Sequence, residues 1–404
     1  MTNSNQPWQL LEGDCLKVLA TLPAESVQTC ITSPPYWGLR DYGSEGQLGL
    51  EATPEAYVAN MVAVFREVRR VLRYDGTLWL NLGDSYTSGG RKDRDSSLVS
   101  KTSGVTNRSA GINRAQTPDG LKPKDLVGIP WRVAFALQAD GWYLRQDIIW
   151  HKPNPMPEST TDRCTKAHEY IFLMTKSAHY FYDAEAVKER TRKIGGPARI
   201  FGAKLQTGTM RQDIGRDFVD TGTRNKRSVW TVTTKPFKGA HFATFPLDLI
   251  EPCVLAGSAD KCCPKCGRAW ERITERLREH GVAEAGFPKT ECIADNQNAH
   301  KRLHRRLKAA RDAGEPHDNA LGGIRTLGFS PACNCGETAS TSSTVLDPFN
   351  GAGTTGVVAI QHGRRYIGIE LNPEYLEMAR KRIQDKRDSL TMPMFAAPHA
   401  TIPG

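Results

Sequence analysis

Apolar and polar positions alternate along the chain in a way that predicts strands and helices in turn. Runs rich in apolar and β-branched residues at 27–32, 77–82 and 366–369 predict buried strands. Apolar residues three and four positions apart at 54–73 predict an amphipathic helix with a basic end. The other predicted elements are strands at 8–14, 143–150 and 169–175, helices at 15–22, 124–139, 246–256 and 373–386, and a helix ending near 363. Strands that alternate with helices are typical of a doubly wound α/β sheet, which is the predicted fold class.

Three insertions interrupt this alternation. Residues 87–120 are rich in Ser, Thr, Gly, Asn and Arg and predict a flexible loop longer than compact domains usually contain. Residues 188–238 hold thirteen basic residues against four acidic ones, so this region carries +9 of the net charge of +10. The third insertion is flanked by cysteines. The predicted division is an α/β core at 8–184, 236–257 and 337–386, a basic insertion at 185–235, a cysteine-anchored insertion at 258–336 and a disordered tail at 387–404.

Composition restricts the class of protein. A chain of 404 residues with 39% hydrophobic and 24% charged residues can bury a sizeable core, which excludes a wholly disordered or fibrous protein. No apolar stretch approaches the ~18 residues of a membrane span, and the polar start has no secretory core. We therefore expect a cytoplasmic protein. Its basic balance makes nucleic acid the first partner to consider.

The segment Ser33-Pro34-Pro35-Tyr36 follows a predicted strand and carries the first candidate chemistry. Two prolines in succession cannot continue a central strand, because neither has an N–H to donate. The segment is therefore expected at the strand's carboxyl end, where open α/β sheets bind ligands. The hydroxyl of Ser33 and the carbonyl of Pro34 can accept two hydrogen bonds from an exocyclic amino group, and the Tyr36 ring offers a face for a planar base.

A second candidate site is the turn Asp347-Pro348-Phe349-Asn350-Gly351-Ala352-Gly353-Thr354-Thr355. It lies between a predicted strand and a predicted helix, and Glu370 follows Gly351 by 19 residues. Glycines let the backbone approach a nucleoside cofactor, and a carboxylate at this distance accepts hydrogen bonds from ribose hydroxyls. The third glycine of the dinucleotide fingerprint is missing, so nicotinamide and flavin cofactors fit poorly.

Together, Ile31-Thr32-Ser33-Pro34-Pro35-Tyr36 and the glycine turn resemble the amino-methylating DNA methyltransferases. These enzymes use S-adenosylmethionine to modify N4 of cytosine or N6 of adenine. The order of the two motifs, with a basic region between them, is similar to the beta-type permuted arrangement of that family. The resemblance covers most of residues 8–385. It implies a double-stranded DNA substrate, a flipped target base and in-line methyl transfer without a covalent enzyme intermediate.

The resemblance also implies roles for individual residues. The target base would be held by Ser33, Pro34, Pro35 and Tyr36, with Asp14 nearby. Residues expected against the cofactor are Asp347, Phe349, Gly351, Gly353, Thr354, Glu370, Phe245 and Pro246, of which the last two close the segment 241–246. DNA contacts are expected from the basic region, at Arg211, Arg216, Arg224, Lys226 and Arg227. These assignments describe a site-specific DNA methyltransferase, and they leave open whether a cognate restriction endonuclease accompanies it.

The choice of base rests on the first residue of the catalytic motif. Serine at position 33 is similar to the cytosine-N4 enzymes, whereas adenine-N6 enzymes more often have Asp or Asn there. We favour cytosine N4 and keep adenine N6 as the alternative. An RNA or protein methyltransferase and a non-catalytic, zinc-dependent DNA-binding protein are the more distant alternatives.

Cysteines near the third insertion predict a metal site. Cys263 and Cys266 have the C-x2-C spacing of a zinc-binding turn, and Cys333 and Cys335 supply a second, tighter pair. Four thiolates without an open position indicate a structural zinc ion. Three alternatives stay open: Cys262 in place of Cys263, Cys292 as a competing ligand, and unpaired reduced cysteines. Cys253 follows a proline, as does the nucleophile of cytosine-C5 methyltransferases, but its place in a predicted helix favours a buried structural thiol.

Overall fold

The computed structural model describes residues 6–39, 46–87, 117–190, 223–234, 245–276 and 324–391. Its strands are β1 (Trp8–Glu12), β2 (Val27–Thr32), β3 (Leu72–Leu82), β4 (Tyr143–His151), β5 (His168–Thr175), β6 (Glu189–Arg190), β7 (Thr223–Arg224), β8 (Val229–Thr231), β9 (Glu271–Arg276), β10 (Ile324–Ser330), β11 (Thr344–Asp347) and β12 (Arg365–Glu370). Its helices are α1 (Cys15–Thr21), α2 (Pro54–Val71), α3 (Ile129–Ala139), α4 (Leu247–Gly257), α5 (Thr354–Gln361) and α6 (Pro373–Thr391).

Two compact units divide the chain. The first contains Met1–Asp183, Arg227–Ala269 and Ala339–Gly404, and the second contains Ala184–Lys226 and Trp270–Thr338. In the second unit, β9 pairs with β10 and β6 pairs with β7, both antiparallel. None of the helices in the described segments is long and apolar enough to cross a membrane.

The first unit is built on an eight-stranded sheet in the order β1-β12-β11-β2-β3-β5-β4-β8. Neighbouring strands are parallel except β5, which runs antiparallel to both β3 and β4. The central strands β2 and β11 lie side by side, and the chain leaves them in opposite directions, through α2 to β3 and through α5 to β12. This is the doubly wound α/β fold that the sequence predicts, with its topological switch point between β2 and β11.

Helices cover both faces of the sheet. On one face, α1, α2 and α3 pack over Leu78, Leu80 and Leu82 of β3 in a single hydrophobic cluster. Because alternate side chains of a strand point to opposite faces, Trp79 faces the other side, where it meets Gly257 at the end of α4. Helix α4 also packs against α5, which packs against α6. Each fully buried apolar side chain stabilises such a core by roughly 1.5–3 kcal/mol.

Predicted boundaries of α3 and α2 are wrong, and for α3 the structure gives the reason. The predicted helix 124–139 begins only at Ile129, because Lys124 and Gly128 have positive φ angles of 73° and 80°. Asp84 then caps the helix by accepting from the backbone N–H groups of Gly128 (2.9 Å) and Ile129 (3.0 Å). The predicted helix 54–73 ends at Val71, and β3 begins at Leu72 instead of 77.

Other predicted segments lie outside the described residues. Most of the predicted loop 87–120 is among them, as are most of the basic region and the segment 241–244. Helix α6 continues to Thr391, five residues beyond the predicted end at 386.

Candidate active site

The candidate residues collect along one edge of the first unit's sheet. Ser33–Tyr36 follow the end of β2, the turn from Asp347 to Gly353 follows β11, and Glu370 ends β12. These strands are parallel, so their carboxyl ends meet at the same edge. The strand arrangement therefore brings the two sequence motifs to either side of the switch point between β2 and β11.

The Ser33–Tyr36 segment is held by contacts from the following loop and α2. Pro34 is buried, and the carbonyl of Pro35 accepts a hydrogen bond from the Tyr57 hydroxyl at 2.9 Å. Trp37 is buried next to it and donates its indole N–H to the carbonyl of Glu51 at 2.8 Å. Within the described residues, no protein donor is bonded to the carbonyl of Pro34. This carbonyl and the half-buried Ser33 hydroxyl can therefore accept hydrogen bonds from a ligand.

Tyr36 takes part in a polar network at the same edge. Its hydroxyl lies 2.9 Å from Glu169 Oε2, 3.1 Å from Asn81 Oδ1 and 3.3 Å from Ser33 Oγ. Burial, and then the negative charge of Glu169, raise the pKa of Tyr36 well above its usual range, so the phenol stays a neutral donor. Its ring lies against Gly83, where a Cβ atom would come within 2.5 Å of it. Glycine at position 83 therefore leaves room for the Tyr36 ring.

On the cofactor side, Asp347 is buried and bonded to protein donors. Its Oδ1 accepts from the hydroxyl of Thr32 (2.6 Å) and the backbone N–H of Phe349 (3.1 Å), and its Oδ2 accepts from the hydroxyl of Thr355 (2.8 Å). Burial raises its pKa to about 6. These bonds tie the turn to β2 and α5. The carboxylate thus holds the shape of the turn, a different part from the direct cofactor contact that the resemblance implies.

Glycine is required at two positions of the turn for different reasons. Gly353 has a φ of +74°, and a Cβ atom there would lie 2.7 Å from the Cβ of Ala379 in α6, so close helix packing requires glycine. Gly351 has a φ of +50°, and a Cβ atom there would meet no side chain within 4 Å. Its backbone therefore faces open space in which a ligand can approach.

Glu370 lies beside Gly351 at the end of β12. Its Oε2 accepts from the backbone N–H of Gly351 at 2.7 Å, and its Oε1 accepts from that of Asn372 at 2.9 Å. Burial raises its pKa above the usual range. Each carboxylate oxygen keeps a second lone pair for a ligand hydroxyl. The arrangement suits a bound ribose at this turn.

The other residues expected at the cofactor have structural contacts. Phe349 is half-buried and packs against the core cluster. Thr354 is buried, and its hydroxyl accepts from Arg382 of α6 at 3.2 Å. Pro246 caps α4, and Phe245 precedes it half-buried. These four residues contribute to the frame of the turn and of α4.

Asp14 lies on the cofactor side of the edge, away from the expected target base. It caps α1 by accepting from the N–H of Lys17 at 3.0 Å, and the neighbouring Gly13 donates to the carbonyl of Glu370 at 2.9 Å. Strand β1, which precedes it, is separated from β2 by β12 and β11. Three strand spacings of roughly 4.8 Å therefore stand between Asp14 and the Ser33–Tyr36 segment, which is why the expected position near the base is not found.

The four predicted zinc ligands come together. One thiol sulfur from each of Cys263, Cys266, Cys333 and Cys335 lies within 4.8 Å of the others. Cys263 and Cys266 sit on a tight turn in which the N–H of Gly267 donates to the carbonyl of Cys263 at 2.7 Å. Such a set of thiols fits a closed tetrahedral zinc site.

The structure distinguishes Cys262 and Cys253 from the four cysteines of the proposed metal site. Cys262 is buried and its sulfur lies 3.1 Å from the Ser343 hydroxyl, apart from the four-thiol group. Cys292 lies outside the described residues. Cys253 is buried in α4, as the sequence predicts, with its sulfur 4.0 Å from the carbonyl of Leu249.

The turn from Cys263 to Gly267 is attached to the opposite edge of the sheet from the candidate active site. Arg73, at the start of β3, donates to the carbonyl of Cys266, and Gln28, near the start of β2, donates to the carbonyl of Gly267 at 3.4 Å. A strand rises roughly 3.3 Å per residue, so most of the length of β2 separates this turn from Ser33. A metal here can support the fold, but it cannot touch the target base.

The structure describes only part of the predicted DNA-contact set. Arg224 and Arg227 are exposed and Lys226 is half-buried. Arg224 forms an ion pair with Glu189 at 3.2 Å. Arg211 and Arg216 lie outside the described residues.

Sequence reasoning missed three residues around Tyr36: Asn81, Lys152 and Glu169. Asn81 is a polar residue inside an otherwise apolar β3, and Lys152 and Glu169 directly adjoin strand ends. A buried polar residue in a strand and charges beside a strand end are the signals that could have identified them.

Comparison with known proteins identifies the family. A family model described as DNA methylase matches residues 27–261 and 337–381. The type II methyltransferase M.Cfr9I of Citrobacter freundii is 41% identical over 375 residues, which cover 93% of this chain and 87% of that protein. The type II methyltransferase M.SmaI of Serratia marcescens is 38% identical over 379 residues, which cover 94% of this chain and 91% of that protein. The chain belongs to the DNA methylase family, whose members transfer a methyl group from S-adenosylmethionine to an exocyclic amine of a DNA base.

Proposed function

We propose that this protein methylates N4 of cytosine at a specific site in double-stranded DNA. The observation that carries the choice of base is Ser33, a neutral first residue in the catalytic motif, which precedes Pro34, whose carbonyl has no protein donor within the described residues. The Ser33 hydroxyl and this carbonyl can accept both hydrogens of an exocyclic amine and orient its nitrogen. Adenine N6 offers the same amine, and it is the second candidate.

The proposed mechanism assigns the chain's residues to holding and orienting the base. The target cytosine leaves the duplex, stacks on Tyr36 and donates its amino hydrogens to Ser33 and Pro34. S-adenosylmethionine supplies an electrophilic methyl group on a sulfonium. Gly351 and Glu370 are the proposed cofactor contacts, through the open face of the glycine turn and through ribose hydrogen bonds. Because the amine is held in line with the methyl group, the transfer needs no covalent enzyme intermediate.

Product analysis tests the choice of base. The purified protein is incubated with unmethylated DNA and labelled S-adenosylmethionine, and the digested nucleosides are identified by mass spectrometry. We expect labelled N4-methylcytosine. Labelled N6-methyladenine would keep the mechanism and reverse the base, whereas label that resists DNase would point to RNA or protein. The variant Ser33→Ala is expected to lose most of its turnover while it keeps its circular dichroism spectrum.

We further propose a structural zinc ion bound by Cys263, Cys266, Cys333 and Cys335. Their four sulfur atoms within 4.8 Å of one another support this proposal. Metal analysis of the purified protein is expected to give about one zinc per chain. Cys266→Ser should lower the zinc content, whereas Cys164→Ser, at an exposed cysteine outside the group, should not.

The proposed partners are double-stranded DNA and a restriction endonuclease of the same recognition site. The relatives' description as type II methyltransferases supports the second partner. Within the proposed basic region, Arg211, Arg216, Arg224, Lys226 and Arg227 are the proposed DNA contacts. Phosphate contacts would make DNA binding strongly dependent on salt, which a titration of binding at several salt concentrations measures.

A further inference from the structure

Tyr36 is held at its hydroxyl by a residue of β5 and along its ring by a residue that follows β3. Its hydroxyl donates to Glu169 Oε2 at 2.9 Å, and Glu169 lies at the start of β5. The ring itself rests against Gly83, beyond the end of β3. A ring fixed only through its Cβ can tilt and rotate about its side-chain bonds. A hydrogen bond at the opposite end and a backbone surface beneath it together restrict both motions.

Glu169 is itself held in place. Its Oε1 forms an ion pair with Lys152 Nζ, and its Oε2 also lies 3.3 Å from Asn81 Nδ2. Lys152 directly follows β4, donates its backbone N–H to Ala167 at 2.8 Å, and places Nζ 4.3 Å from the ring centre of Trp150. The carboxylate therefore has little freedom to leave the Tyr36 hydroxyl.

The chemistry of this cluster favours a functional explanation over a purely structural one. Lys152 and Glu169 are both largely shielded, with 19% and 16% of their side chains exposed. Shielded ion pairs often stabilise a fold no better than apolar residues of similar size, because both charges lose hydration. An apolar pair could not accept the hydrogen bond that holds the Tyr36 ring at its hydroxyl.

We propose that Glu169, held by Lys152, is a positioning residue that fixes the Tyr36 ring in the plane on which the target base stacks. The inference rests on the proposed function, because it takes Tyr36 as the platform for the base. Glu169 acts through the Tyr36 hydroxyl. Without Glu169, the Tyr36 ring is still present but free to tilt. The amine of the target base is then more rarely in line with the methyl group.

A double-mutant cycle tests whether Glu169 acts through Tyr36. Single-turnover methylation rates are measured for Glu169→Ala, Tyr36→Phe and the double variant, with saturating S-adenosylmethionine and unmethylated DNA. We expect each single variant to slow methylation by about 10-fold, and Glu169→Ala to have less than about a 2-fold effect once the hydroxyl is gone. Independent, multiplicative losses would overturn the proposal, and so would an unaltered rate for Glu169→Ala.

Controls separate positioning from damage to the fold. Glu67→Ala removes a half-buried carboxylate that forms an ion pair with Arg70 at 2.7 Å on α2, and should leave the rate unchanged. The affinity for S-adenosylmethionine should stay the same in all variants, because within the described residues no hydrogen bond of the cluster reaches the glycine turn. Should Glu169→Ala fail to fold, the cycle is run with Glu169→Gln, which keeps the volume.

Tyr36→Ala in the same assay distinguishes the two proposals. Full methylation by Tyr36→Ala would defeat the proposed function and this inference with it. A strong loss in Tyr36→Ala, combined with independent effects of Glu169→Ala and Tyr36→Phe, would defeat only the positioning role.

Discussion

The two sides of the active-site edge are built in different ways. On the cofactor side, one strand, turn and helix supply most of the groups, and the central carboxylate, Asp347, is buried among bonded hydroxyls. On the proposed base side, the Tyr36 hydroxyl is hydrogen-bonded to Asn81 and Glu169, and Glu169 is paired with Lys152, so three other parts of the chain contribute. The comparison teaches that the cofactor turn takes most of its groups from one continuous segment, whereas the proposed base platform depends on segments that only the sheet brings together.

The largest expected effect falls on the base side alone. Removal of the ring in Tyr36→Ala should lower methylation by about 100-fold, since stacking of a base on an aromatic ring contributes roughly 1–3 kcal/mol. Binding of S-adenosylmethionine, measured by calorimetry, should not change, because the ring's hydrogen bonds involve Ser33, Asn81 and Glu169 and not the glycine turn. A parallel loss of cofactor affinity would show that the two sides are not separate.

A second variant should damage the cofactor side. In Gly353→Val the new side chain would be placed 2.7 Å from Ala379, on a backbone with a φ of +74°. We expect a loss of about 2–4 kcal/mol in the free energy of unfolding, and weaker cofactor binding.

Gly363→Val is the matched control for this variant. Gly363 has a φ of +68°, but a Cβ atom there would meet nothing within 4 Å, so only the backbone strain applies. It should cost about 1–2 kcal/mol in urea unfolding. Equal losses in the two variants would contradict the role given to helix packing.

The buried carboxylate gives the cofactor side a pH dependence. The pKa of Asp347 is raised to about 6 in the folded protein, above the roughly 3.9 of an unfolded chain, so the folded state holds its proton more tightly. The free energy of unfolding should therefore fall as the pH rises between these values, by up to about 1.4 kcal/mol per pH unit from this group.

Asp347→Asn tests this expectation because it cannot titrate. Urea unfolding of the two proteins between pH 4 and 6.5 should give a flatter pH dependence for the variant. Identical slopes would mean that another group, such as Glu370, is responsible.

The smallest expected effect on either side comes from removal of the proposed zinc ion. The turn from Cys263 to Gly267, which carries two of the proposed zinc ligands, contacts Arg73 and Gln28 at the far edge of the sheet. Chelation should lower the melting temperature while it changes the affinity for S-adenosylmethionine by less than about 2-fold. A large loss of cofactor affinity with an unchanged melting temperature would contradict a structural role for the metal.

The sequence predicted the cofactor turn and the catalytic motif for physical reasons that are local. Paired prolines must end a strand, and closely spaced glycines must form a turn, wherever the rest of the chain lies. The alternation of strands and helices gave the doubly wound sheet in the same way. Helix boundaries also depend on distant residues: the start of α3 is capped by Asp84, which lies far away in sequence.

What the sequence determined by itself is therefore the fold class, the two motifs and the four cysteines. Tertiary structure alone decided which side of the edge Asp14 occupies, since this depends on the position of β1 in the strand order. It also decided that Cys262 bonds to Ser343. In the same way, it decided that Glu169, paired with Lys152, accepts a hydrogen bond from the Tyr36 hydroxyl. Local patterns report the conformation of neighbouring residues, whereas contacts between distant segments arise only when the sheet aligns the ends of its strands.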